Sequence, residues 1–126
     1  MKRIFLGGTC NNSTWREELI PLLTIDYFNP VVKDWTPECQ DEEIRQRETC
    51  DYVLYVITPL MTGVYSIAEV VDDSNKRPTK TIFCFIEDGG EFTKHQKKSL
   101  EATAIMVALN GAKFCTTLQE VADFVN

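Results

Sequence analysis

Continuous apolar runs alternate along the chain with stretches in which apolar positions recur every three or four residues, and this alternation predicts the fold. RIFLGG (3–8) is a short apolar run closed by glycines, hence a buried strand. Trp15, Leu19, Leu22 and Leu23 then recur at helical spacing behind a Thr14/Glu17 capping pattern, and Pro21 is expected to kink or shorten that helix. DYFNPVV (26–32) reads as a second strand ending near Asn29-Pro30. Thr36 as N-cap and Pro37 as first helical residue open PECQDEEIRQRET, a polar helix with Ile44 as its one strong apolar residue. Asp41/Arg45 and Glu43/Arg47 are expected to pair along it at i,i+4.

YVLYVIT (52–58) is apolar on both faces, the pattern of a strand at the centre of a parallel sheet covered by helices. The next segment, TGVYSIAEV (62–70), carries serine and glutamate three apart, so Ser66 and Glu69 are expected to form a capping box at a helix start. TIFCFIE (81–87) is a fourth strand, and Thr93/Gln96 open a long helix that should stop at Gly111. AKFC (112–115) is a short last strand, and Thr117/Glu120 cap a final helix striped by Leu118, Val121, Ala122 and Val125. Five strand-helix units in 126 residues make one domain, residues 1–126, of α/β class. Right-handed crossovers fold such a chain into a five-stranded parallel sheet between helix layers. Ligands of these folds bind at the carboxyl ends of the strands, near a topological switch point. That rule selects GGTCNN (with Asn12), NPVVKDW and TPLMTGVYS (with Met61).

Charge and cysteine usage narrow the partners. A net charge of −6 with one short basic cluster, KHQKK at 94–98, argues against a nucleic-acid polymer or an anionic membrane surface. MKRIFLGG has too short an apolar run for a signal peptide, and no stretch reaches the ~20 apolar residues of a membrane span. Five cysteines without C-x-x-C spacing suggest neither a zinc site nor a redox pair, and fit a reducing cytoplasm. No metal and no cofactor are expected.

The chemistry at the strand edge must then rest on carboxylates, because His95 is the sole histidine and sits among lysines. The glycines of GGTCNN would let a ligand approach the backbone, though a tight strand-to-helix turn needs them as well. Trp35 and Tyr65 flank the expected cleft as walls for a flat base or a sugar. Asp51 precedes the third strand, at its amino end, where a helix-capping or backbone-binding role is the plain reading. Glu69 keeps two readings. It either caps its helix or acts as an ionised carboxylate suited to attack an anomeric carbon.

The run IFLGGTCNNSTWREELIPLL, then NPVVKDW, then RQRETCDYVLYVITPLMTGVYSIAEVVD, resembles the nucleoside 2-deoxyribosyltransferase-like family, closest to its small phage- and bacteria-type branch. Its most specific part is the strand begun by Cys50-Asp51 and followed by G-x-x-S-x-x-E. The resemblance implies a flavodoxin-like fold, a homo-oligomer, and cleavage of the N-glycosidic bond of 2′-deoxynucleosides or deoxynucleotides by double displacement. It puts the nucleophile on Glu69, with Gly63 and Ser66 along the loop that holds the sugar or a 5′ group. Gly8, Thr9 and Cys10 would stand at the first-strand edge, and Asp51 would assist the base or order the site. One departure stands out: no Asp or Glu lies between Asp51 and Glu69, so the leaving-group proton has no assigned donor. That gap motivates a rival expectation, a module that holds a nucleotide or an ADP-ribose-like ligand without turning it over.

Overall fold

The computed structural model describes residues 1–126. Its strands are β1 (Arg3–Gly8), β2 (Asp26–Phe28), β3 (Tyr52–Ile57), β4 (Thr81–Phe85) and β5 (Lys113–Cys115). The helices between and after them are α1 (Trp15–Leu19), α2 (Pro37–Thr49), α3 (Tyr65–Lys76), α4 (Lys94–Leu109) and α5 (Leu118–Val125). All strand pairs are parallel, in the order β2-β1-β3-β4-β5. This is a three-layer α/β sandwich of the flavodoxin-like type, with β3 at its centre as its two-faced apolar pattern requires.

Alternation along the strands divides the core in two. Ile4, Leu6, Leu54, Val56, Ile82 and Cys84 face α1 and α5, packing on Trp15, Leu19, Val121 and Ala122. Phe5, Val53, Tyr55, Ile57 and Phe83 face the other way, onto Val70 of α3 and Leu100, Ala104 and Val107 of α4. The helix α2 buries only Gln46, as its polar composition predicts. No helix is long and apolar enough to cross a membrane.

Several local expectations are corrected. Pro21 does shorten the first helix, which gives way to a 3₁₀ turn at Ile20–Leu22. Thr14 forms no capping box; its hydroxyl turns to Asp88 Oδ2 at 3.4 Å. The second strand ends at Phe28, just ahead of the expected stop near Asn29-Pro30, because Pro30 has no N–H for a ladder, and Val31 and Val32 are left exposed. Along α2, Arg45 pairs with Glu42 rather than Asp41, and Arg47 leaves its own helix altogether. The largest correction falls on α3. It begins at Tyr65 with Val64 as N-cap and has no side-chain capping bond, so Ser66 lies inside the helix and the Ser66/Glu69 box does not form.

Candidate active site

β1 and β3 pair with Gly8 level with Val56, and the chain leaves β1 toward β2 on one side and returns to β3 on the other. The sheet therefore has its switch point between these two strands, and a crevice opens beyond their carboxyl ends. Two loops close it. The turn after β1 needs glycine at position 8, where φ is +119° and a Cβ would lie 2.0 Å from the Val56 carbonyl oxygen. Thr9 then stitches the two strand ends together, its N–H donating to Val56 O at 2.9 Å and its hydroxyl accepting from Thr58 N–H at 3.0 Å. Underneath, the buried Arg16 donates to the carbonyls of Leu6 and Thr9, and Trp15 Nε1 donates to Thr9 O at 2.8 Å. Burial lowers the Arg16 pKa to about 10, still a cation at neutral pH.

The crevice is a cleft of about 280 Å³ lined by Gly8, Thr9, Cys10, Asn11, Met61, Thr62, Gly63, Tyr65 and Ser66, with Ile57 below. Thus the first and third of the three expected segments meet. Asn11 ties them, donating from Nδ2 to Thr62 Oγ1 at 2.6 Å and to Leu60 O at 3.3 Å. Gly63 differs from Gly8: a Cβ there would meet nothing within 4 Å. No internal contact calls for glycine at 63, and its bare backbone lies open to the cleft.

Not every expected residue joins this group. Asn12 lines a separate hollow of about 230 Å³ with Ser13, Arg16, Glu17 and Asn29; Cys10 is shared between the two. Trp35 is 59% exposed on the loop before α2 and lines neither cavity. Asp51 is at the opposite edge of the sheet. Its Oδ2 accepts from Arg3 N–H at 2.8 Å, and its own N–H donates to Arg3 O at 2.9 Å, closing the start of the β1–β3 ladder. The six-residue strand β3 spans ~20 Å at ~3.3 Å per residue, which keeps Asp51 remote from the cleft. A wider, mainly apolar groove of about 880 Å³ runs between α3 and α4 and meets the cleft at Met61, with Asp72 and His95 as its titratable groups.

Glu69 stands one turn into α3, three and four residues after the cleft residues Ser66 and Tyr65, hence on their face of the helix. Side chains lean toward a helix N-terminus, which inclines Glu69 to the cleft end. Its side chain is 15% exposed, and the nearest cation is Arg47 of α2, at 3.5 Å. Burial pushes its pKa up, Arg47 opposes this, and Glu43 and Asp73 add to the rise, leaving the pKa at about 7. Beside it Asp73, fully buried, accepts from Arg47 at 2.9 and 3.1 Å, from the Tyr55 hydroxyl at 2.6 Å, and from Arg77.

Arg47, Tyr55 and Asp73 carry no motif, and pattern reading did not find them. A signal did exist: Glu69, Asp72, Asp73 and Lys76 recur at i, i+3, i+4 and i+7, a charged stripe on a helix that must also bury Val70. Chemically, the arrangement offers a mostly buried carboxylate that itself lines none of these cavities, one helical turn behind an open backbone cleft at a sheet switch point. Comparison with curated protein sequences returns no match. A family model described as nucleoside 2-deoxyribosyltransferase like matches residues 1–88, which include the cleft, Arg47 and Glu69. That match takes in four of the five strands and well over half of the chain, and its chemistry is in general terms glycosyl transfer: the chain belongs to the nucleoside 2-deoxyribosyltransferase-like family.

Proposed function

We propose that the protein cleaves the N-glycosidic bond of 2′-deoxynucleosides or deoxynucleotides, with Glu69 as the nucleophile, and passes the deoxyribosyl group to a second base or to water. The observation that supports this reading is the condition of the Glu69 carboxylate. It is mostly buried and makes no capping bond to the helix backbone, yet it lies one turn behind the residues that line the cleft. Burial raises its pKa to about 7 despite the neighbouring Arg47, a perturbation of the kind that clusters at functional sites.

In the first half-reaction a Glu69 oxygen bonds to C1′ while the C1′–N bond breaks, and the leaving base takes the electron pair and gains a proton. In the second, a base nitrogen or a water oxygen attacks C1′, loses its proton, and returns the carboxylate. The cleft would hold the sugar against the bare backbone of Gly63 and the edge formed by Gly8, Thr9 and Cys10, with Tyr65 and Met61 beside the base. Asp51 then orders the sheet start instead of touching the substrate, consistent with its bonds to Arg3.

The test is incubation with deoxynucleosides and deoxynucleotides, with and without an acceptor base, followed by chromatography. Free base or exchanged base that disappears in Glu69→Ala supports the proposal; exchange identifies a transferase and free base alone a hydrolase. Thermal stabilisation by nucleotides without turnover would instead favour a binding module.

A further inference from the structure

Arg47 reaches Glu69 from another helix, and it is fixed there by groups other than Glu69. Within the last turn of α2 its guanidinium meets three carboxylates of α3: Asp73 at 2.9 and 3.1 Å, Asp72 at 3.3 Å and Glu69 at 3.5 Å. Asp73 is in turn pinned from β3 by the Tyr55 hydroxyl and from the end of α3 by Arg77. The guanidinium is therefore anchored on Asp73 and Asp72, and its contact with Glu69 is the longest of the three. Resting on the reading of Glu69 as nucleophile, we propose that Arg47 is a positioning residue that favours the ionised form of the Glu69 carboxylate and fixes it in the gap between α2 and α3, while Glu43 and Asp73 limit how strongly it does so.

The charges around Glu69 support this division. From α2 it faces Arg47 and, one turn earlier on the same helix face, the partly buried Glu43. From its own helix it faces Asp73; Asp72 is drawn off to Lys76 at 3.1 Å as well as to Arg47. From β3 comes the Tyr55 hydroxyl, which burial holds neutral and which donates to Asp73. Among these groups Arg47 is the cation in contact with Glu69, and two carboxylates oppose it. The pairing also explains why Arg47 does not serve Glu43 along α2, as helical spacing alone suggested.

A tie that only holds α2 to α3 would make Arg47 matter for stability and leave the Glu69 proton unaffected. The two roles separate in an NMR titration of the full chain carrying ¹³C-carboxyl glutamate, with the Glu69 signal assigned by its loss in Glu69→Gln. Arg47→Met should raise the Glu69 midpoint by about one pH unit or more, since a contacting opposite charge lowers a carboxyl pKa by about 1–3. Arg47→Lys should stay near the parent, and Glu43→Gln, on the outer helix, should move the midpoint the other way. An unchanged midpoint in Arg47→Met overturns the proposal, and so does a Glu43→Gln midpoint at or above the parent's should Arg47→Met not fold. The midpoints are read without turnover. Shifts of the expected signs in an inactive protein would therefore sink the catalytic reading of Glu69 alone, and where turnover exists the acid limb of kcat/KM should move with them.

Discussion

The starts of α3 and α4 carry the same sequence signature, a hydroxyl residue followed three positions later by Glu or Gln, and they fold differently. At α4 the box is complete: Thr93 Oγ1 accepts from Gln96 N–H at 3.1 Å, and the Gln96 side chain accepts from Thr93 N–H at 2.8 Å. At α3 none of it forms. The helix starts one residue before Ser66, and Glu69 turns away from the backbone toward Arg47. The difference lies in what each helix packs against. Thr93 and Gln96 sit at the surface, where backbone N–H groups are the best partners on offer. Glu69 sits near the buried Tyr55–Asp73 pair with the Arg47 guanidinium of α2 at 3.5 Å, and α3 starts too early for it to reach back to the N-cap. A capping motif is thus a local offer that tertiary packing can override, and here it leaves a mostly buried carboxylate one helical turn behind the residues that line the cleft.

The contrast can be broken most severely at Glu69 itself. If Glu69 is the nucleophile as proposed, replacing it by glutamine should lower turnover on the order of 10³-fold or more, read as base release by chromatography. Next, Gly63→Leu should raise KM or the substrate dissociation constant roughly 10-fold or more by filling the cleft. Its melting temperature should stay close to the parent's, since a side chain there meets open space.

A third prediction follows from acidity. The Glu69 pKa of about 7 exceeds its unfolded value of about 4.5, so the native state binds this proton more tightly across that window. The corresponding stability is fully present below pH 4.5 and is lost as pH rises through 7. Glu69→Gln should therefore remove that loss, stabilising the chain at pH 8 relative to pH 4.5 by on the order of 2 kcal/mol in denaturant melts. A capping glutamate would behave in the opposite way, and its removal would cost stability at pH 8. The same ionisation predicts activity that falls about tenfold per pH unit below 7. The smallest effects complete the comparison of helix starts. Thr93→Ala should cost about 1 kcal/mol, and Ser66→Ala, which removes no cap, less than about 0.5 kcal/mol.

What was legible in the sequence follows the range of the interactions. Apolar runs and helical stripes depend on neighbours a few residues apart, and they give all five strand-helix units and the central place of β3. The switch-point rule then finds the cleft, because Gly8 ends β1 and Gly63 lies in the loop that follows β3. Asn11 rather than Asn12 lines it because position 12 takes φ +60° and turns into the neighbouring hollow. The pairing of Arg47 with Asp73 spans 26 residues and two helices, and nothing local announces it. Helical spacing assigned Arg47 to Glu43, four residues away, because packing between helices cannot be read from spacing within one.

In the proposed reaction Glu69, which caps no helix, forms a bond to the sugar. Acid quenching during turnover of a 2′-deoxynucleoside or deoxynucleotide, followed by peptide mass spectrometry, tests it directly. A deoxyribosyl adduct is expected on the peptide containing Glu69 and should be absent in Glu69→Gln. Turnover that persists in Glu69→Gln, or an adduct on another residue, would contradict it.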